Sequence, residues 1–335
     1  MPETVPNPHR DIFVLGGSAG AVEALRQIVA ELPADLPATL FVVTHISAQA
    51  RSLLPEILSH RGKLPAQHAR DGERVQRGRI YIAPPDHHLS LHDGMVRLLR
   101  GPKENLHRPA VDPLFRSAAR WFGPRVVGVV LSGSLDDGTA GLMLIKKRGG
   151  VAVVQQPDDA VYRGMPCSAL AAVEVDHSLP ASQIGPLLVS LAHSPAEQTN
   201  GAAAHKNTEV ERGFELTDQH NMNVEEYERQ LGPPSVVTCP TCHGATWELE
   251  EGGLVRFQCH VGHAFSAESM LAEQNEDVER AMWIALRSLD DNIGLLRRLA
   301  EKSRTHLQNG AARRYLEAAD EKQHAADLLR DVLMH

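Results

Sequence analysis

Between residue 11 and about residue 194, short runs of apolar, mostly β-branched residues alternate with stretches of helical period, and this alternation constrains the fold more than any other feature. The runs are IFVLG at 12–16, TLFVVTH at 39–45, RIYIA at 79–83, VVGVVLS at 126–132 and VAVVQ at 151–155. Those starting at 39, 126 and 151 are apolar almost throughout, as expected of parallel strands covered by helices on both faces. Successive βαβ units imply a doubly wound α/β fold with a mostly parallel sheet. LSLHDGMVRLL sets Asp93-Gly94 between two short strand patterns, so a small antiparallel hairpin should interrupt the series.

The pattern stops after Leu191, and the polar, small-residue stretch that follows reads as a linker over 195–212. The expected organisation is an α/β domain over 8–194, that linker, a short helix near 223–231 with a Cys/His region over 213–265, and a helical hairpin over 266–335. In the last segment Val278, Met282, Leu286, Leu289, Ile293 and Leu296 recur at helical spacing. Asn309-Gly310 breaks that stripe, and Tyr315, Leu316, Ala319, Leu328, Leu329 and Val332 form a second. At 335 residues the chain exceeds one ordinary core.

Composition then excludes several classes. The net charge of -8 argues against a nucleic-acid partner, which wants a basic surface. No run of eighteen apolar residues exists, nor an N-terminal apolar segment of signal-peptide type, so membrane insertion is not expected and the cytoplasm is the expected location.

The first strand runs into Gly16-Gly17-Ser18-Ala19-Gly20 and then a helical pattern, giving G-x-S-x-G spacing on a sharp strand-to-helix turn. Small neighbours leave a serine hydroxyl exposed there, beside backbone N–H groups able to stabilise an oxyanion. A dinucleotide fingerprint ending at Gly20 would need glycine where Leu15 stands, and the second strand ends in His45 rather than an acid for a ribose. His45, at the carboxyl end of the neighbouring strand, is placed to act as general base. Asp136 and Asp137 follow the 126–132 strand in a glycine-rich loop; one can orient the imidazole while the other serves the turn.

Cys239 and Cys242 are two residues apart, and sixteen residues later come Cys259, His260 and His263. Two such knuckles offer four tetrahedral ligands, so Cys239, Cys242, Cys259 and His263 are the expected holders of a structural Zn2+, with His260 the competitor for the fourth place. WELEE and LVRFQC, around Gly252-Gly253, would be the strands of a zinc ribbon.

Taken in order, GGSAG, FVVTH, YIAPPDHHL, HRPAVDPLFRSAA, LSGSLDDGTAGL and GGVAVVQQPDDAVYRGMPCSAL resemble the catalytic domain of the CheB-type chemotaxis protein-glutamate methylesterases. The resemblance implies that Ser18 is the nucleophile, His45 the base and Asp137 the orienting carboxylate, with no cofactor for catalysis. It implies hydrolysis of glutamyl γ-methyl esters, and deamidation of glutamine, on methylated receptor or receptor-like proteins. Oxyanion donors would be backbone N–H groups near Ser18 and in the Gly133–Leu135 loop. Ala19 and Ser134-Leu135-Asp136 depart from the family's usual threonine and methionine-glycine-asparagine, and Ile46-Ser47-Ala48 from its usual methionine-proline. His88 and Arg108 match polar family positions without a catalytic role. The first strand starts at Asp11, which leaves no room for the receiver domain of well-known members, so control is expected from a regulatory partner or the C-terminal region. The alternative reading is a catalytically weak member acting as a binding or scaffold protein in a chemosensory-like pathway.

Overall fold

The computed structural model describes residues 9–196, 225, 229, 231, 233–251, 253–306 and 308–334. The linker expected over 195–212 and the helix near 223–231 lie almost wholly outside these residues. Two compact units divide the chain, residues 1–270 and 271–335.

The first unit is built on a seven-stranded parallel sheet. Its strands are β1 (Ile12–Gly17), β2 (Thr39–Thr44), β3 (Ala66–His68), β4 (Ile80–Ile82), β7 (Val126–Val130), β8 (Val151–Gln155) and β9 (His177–Leu179), in the order β3-β4-β2-β1-β7-β8-β9. β1 lies between β2 and β7, the point from which the chain winds outward in both directions, and the crevice beyond the strand ends there is where such sheets bind ligands. The edge strands β3 and β9 were not among the apolar runs; they carry only AQH and HSL, too short and polar to stand out.

Helices cover both faces, as the unbroken apolar strands require. On one side α1 (Ala21–Ala30), α2 (Leu54–Arg61) and α6 (Ala181–Ala192) bury Leu25, Ile28, Leu58 and Ile184 against Phe13, Leu15 and Val42. On the other, α3 (Val111–Phe122), α4 (Thr139–Lys147) and α5 (Gly164–Ala172) pack Leu114, Phe115 and Leu142 against Val14, Phe41 and Val130. Each such fully buried side chain contributes about 1.5–3 kcal/mol. The hairpin β5 (His88–His92) and β6 (Met95–Leu99) is antiparallel and turns at Asp93 and Gly94, with φ of 48° and 72°.

A small antiparallel sheet, β10 (Thr246–Glu251), β11 (Leu254–Cys259) and β12 (Ala264–Ser266), completes this unit. β12 runs beside the segment before α3, where Ala264 bridges Glu104 in parallel.

The second unit is an antiparallel helical pair, the body of α7 (Ala267–Thr305) with α8 (Asn309–Met334). Leu286 and Ile293 pack with Ala326, Leu289, Leu329 and Leu333. The buried face of α8 runs through Ala312, Ala319 and Ala326, whereas Leu328 and Val332 of the expected stripe are exposed. Small alanines allow close helix approach and turn the larger residues outward.

Candidate active site

Three adjacent strands deliver three chemically complementary groups at their carboxyl ends: Ser18 after β1, His45 after β2 and Asp137 in the loop after β7. The turn holding Ser18 tolerates no larger residues. A Cβ on Gly16 would lie 2.1 Å from Val111 Cγ1, and Gly20, with φ +80°, sits where L side chains are strained. The Ser18 N–H donates to Ser132 O at 2.8 Å, tying the nucleophile loop to the end of the β7 strand, and the His45 N–H donates to Gly17 O at 3.2 Å.

His45 Nε2 lies 2.7 Å from Asp137 Oδ2. Asp137 also accepts the N–H of Val111 (2.6 Å), the N–H of Asp112 (3.2 Å) and the Asn105 side-chain amide (2.8 Å). Burial alone would raise the Asp137 carboxyl, but the hydrogen bond and charge of His45, with the Val111 and Asn105 donors, outweigh it and hold the group well below the ordinary carboxylate range. An ionised Asp137 can only accept, so Nε2 of His45 carries the proton and Nδ1 is left as the base. That Nδ1 is buried and makes no hydrogen bond among the described residues. The residues His45 and Ser18 line one pocket of about 830 Å³, together with Ala19, Gly20, His107 and Arg108.

The other expected site residues fall as follows. Asp136 does not touch His45; its carboxylate accepts the Ser266 hydroxyl at 2.6 Å, so the loop's two aspartates take separate tasks. His88 is buried and structural: Nε2 donates to Pro102 O at 2.9 Å, Nδ1 accepts the Ala110 N–H at 3.2 Å, and burial pushes its pKa down, keeping it neutral. Arg108 pairs with Asp86, which the guanidinium holds below its ordinary pKa. Among the expected oxyanion donors, the N–H groups of Ser18 and Gly133 are already given to Ser132 O and Tyr162 O. Those of Ala19, Gly20, Ser134 and Leu135 have no backbone acceptor among the described residues.

Several neighbours escaped the sequence reading. The His107 ring stacks on that of His45, with centroids 3.6 Å apart. Asn105 bridges two buried carboxylates, donating to Asp112 Oδ2 (3.0 Å) and Asp137 Oδ1. Arg116 forms a two-pronged pair with Glu104, whose pKa burial would raise but Arg116 and Arg256 bring down to about 2. The available signal was Asp112 and Arg116, one helical turn apart beside the apolar stripe of α3.

The Sγ atoms of Cys239, Cys242 and Cys259 and the Nδ1 of His263 all lie within 4.8 Å of one another. Three separations are 3.6, 3.7 and 3.7 Å. Ligands about 2.3 Å from a tetrahedral zinc are themselves about 3.7 Å apart, so this donor set fits the ion. Gly262, at φ +98°, makes the second knuckle; His260 is exposed and outside the cluster.

The mostly parallel α/β sheet, with a serine, a histidine and a buried aspartate at its winding point, is the arrangement expected of a hydrolase of the α/β type. Residues 13–188 match the CheB methylesterase family model, and the chain belongs to that family, a protein-glutamate methylesterase. A protein of Ralstonia nicotianae named protein-glutamate methylesterase/protein-glutamine glutaminase is 39% identical over 193 residues, covering 54% of this chain and 50% of that protein. One of Anaeromyxobacter dehalogenans, with the same name and the numeral 2, is 38% identical over 174 residues, covering 52% and 51%. This chain thus spans about half the length of these two relatives. A Leptospira interrogans protein, 34% identical over 189 residues, is covered over 98% of its length by 56% of this chain. The crystal structure of the Thermotoga maritima CheB methylesterase catalytic domain superposes with a TM-score of 0.52 at 34% identity, covering 54% of this chain and 98% of that one. No described helix is long and apolar enough to cross a membrane.

Proposed function

We propose that Ser18, His45 and Asp137 form a catalytic triad that hydrolyses glutamyl γ-methyl esters, and deamidates glutamine, on the helices of chemotaxis-type receptors. The observation that carries this reading is the 2.7 Å contact between His45 Nε2 and a buried, ionised Asp137, which leaves Nδ1 without a hydrogen-bond partner among the described residues on a histidine that lines one pocket with Ser18. Ser18 Oγ attacks the ester carbonyl carbon while its proton passes to His45 Nδ1. The carbon–methoxy bond breaks as Nδ1 returns that proton to the leaving oxygen, releasing methanol. Water then attacks the acyl-serine with the same base, freeing the glutamate carboxylate and Ser18. With glutamine the leaving group is ammonia.

Arg100, Lys103 and Arg108 line the same pocket with Asp86, which pairs with both arginines, and the net positive charge of this rim suits a glutamate-rich helix. The reaction belongs in the cytoplasm, where such helices lie, and a regulatory partner would act through the C-terminal region. Cys239, Cys242, Cys259 and His263 would hold a structural Zn2+ that fixes the small β-module and takes no part in bond breaking. Against the scaffold reading stands the His45–Asp137 pair, since burying a carboxylate costs stability and a scaffold has no use for an imidazole held on it.

The test is methanol release from a methylated receptor signalling fragment. Turnover by the wild type, abolished in Ser18→Ala with the fold retained, is the expected result; a folded wild type without turnover overturns the reading.

A further inference from the structure

The β-module and the α/β domain meet at the rear of Asp137, and the contact is polar and buried. Glu104, Asp112 and Asp137 are three buried carboxylates in one cluster. From the α/β domain, Arg116 sets its guanidinium on Glu104. A second comes from β11 of the module: Arg256 places Nη2 2.5 Å from Glu104 Oε1 and Nη1 3.1 Å from Asp112 Oδ2. Burial and the neighbouring Asp137 push the Asp112 carboxyl up to about 7 while Arg256 and Arg116 pull against that rise, so the guanidinium from the module bears directly on the charge beside Asp137. The ionised Asp137 on Nε2 is the charge that would stabilise an imidazolium on His45.

The module also fixes Asn105. Its N–H donates to Ala264 O at 2.8 Å and its Oδ1 accepts the Ser266 N–H at 3.0 Å, leaving both amide protons for Asp112 and Asp137. Asn105 and Leu106 hold φ of 47° and 71°, a conformation that needs such anchoring. Leu106 packs into the small core of Cys239, Cys259, Phe265 and Met270. Arg256 precedes Cys259 by three residues and Ser266 follows His263 by three, so both struts leave directly from the Cys/His knuckle.

We infer that the C-terminal Cys/His module is an integral part of the esterase site, with Arg256 and Ser266 as positioning residues that hold Asp137 through Glu104, Asn105 and Asp112. The inference rests on the reading of Asp137 as the partner of the catalytic base. The experiment uses the full chain and two readouts. One is kcat and KM for methanol release. The other is the downfield imidazole N–H proton of His45 in nitrogen-edited NMR, assigned by its loss in His45→Gln.

Arg256→Gln should lower kcat about ten- to a hundred-fold with little change in KM and shift or broaden the His45 resonance. Arg256→Lys, which retains the charge, should recover most of both. Unchanged kcat and resonance in Arg256→Gln overturn the inference, as does an equal loss in both variants with the resonance unmoved. If Arg256→Gln does not fold, Asn105→Ala decides: it cuts the link from the Ser266 N–H through the Asn105 amide to Asp137, and kcat and resonance both unchanged overturn the proposal. A wild type without turnover would defeat the esterase reading while the resonance still reports the positioning.

Discussion

The imidazole of His107 lies flat on that of His45, ring centroids 3.6 Å apart and planes 17° from parallel. Burial first, and then the neighbouring His45, push the pKa of His107 down to about 4. It is therefore neutral at physiological pH and offers a flat uncharged support that, in the proposed reaction, adds no second positive charge as His45 takes the proton of Ser18.

That depressed value has a consequence for stability. Between about pH 6.5 and 4 the unfolded chain holds a proton on His107 that the folded chain does not, so this residue costs stability as the pH falls through that window. His107→Phe keeps the stack without the titration. On going from pH 7 to pH 5, the wild type should lose about 2 kcal/mol more than His107→Phe in denaturant unfolding. Equal losses in the two proteins would show that the His107 ring is already solvated.

Asp137 receives two backbone N–H groups and one side-chain amide besides His45. Asparagine at this position has one acceptor in place of two and cannot fix the tautomer with Nε2 protonated. Asp137→Asn is therefore expected to lower kcat about 10³- to 10⁴-fold. Rates of Ser18 modification by a fluorophosphonate, which needs the same base, should fall in parallel; undiminished labelling would remove Asp137 from the triad.

The sequence shows the central fold clearly because β1, β2, β7 and β8 are apolar on both faces, and only a doubly covered parallel sheet accommodates that. Ser18 and His45 stood out for the same reason, as polar residues placed where such strands end. The support behind them did not. Asn105, His107, Arg256 and Ser266 are polar residues in ordinary loops and strands, and their roles arise from contacts across up to 161 residues of chain. No periodicity encodes a hydrogen bond between Asn105 and Ser266. Residue type and spacing left Asp136 and Asp137 open, since adjacent residues in a loop differ only in the direction their side chains take, and the family resemblance alone singled out Asp137.

Gly133 faces the nucleophile from the β7 loop. A Cβ there would fall 2.1 Å from Met165 Sδ and 2.9 Å from Ser18 Cβ, so both the core under α5 and the serine would have to move. Gly133→Ala should cost about 1–3 kcal/mol of stability and reduce kcat by more than that loss explains. Thermal unfolding and methanol release on the same preparation separate the two effects. A variant with full activity would mean that the loop relaxes away from Ser18.

The Cys/His cluster makes the most direct chemical prediction. Three thiolates and one imidazole at tetrahedral spacing should bind one Zn2+ per chain, and substitution by Co2+ should give the intense visible bands of a tetrahedral thiolate site. His263→Ala should lose the ion and His260→Ala should keep it, because only His263 turns Nδ1 toward Cys239 and Cys259. With free zinc a thousand-fold above its dissociation constant, linkage adds about 4 kcal/mol to the folded state, so excess chelator should lower the unfolding temperature. Because the module's core is only two small clusters, Trp247 with Leu249 and Cys239 with Cys259, Phe265 and Met270, hydrogen exchange after chelation should rise first in β10 to β12 and next at Asn105, before the central sheet. Retention of zinc by His263→Ala together with its loss in His260→Ala would reassign the fourth ligand.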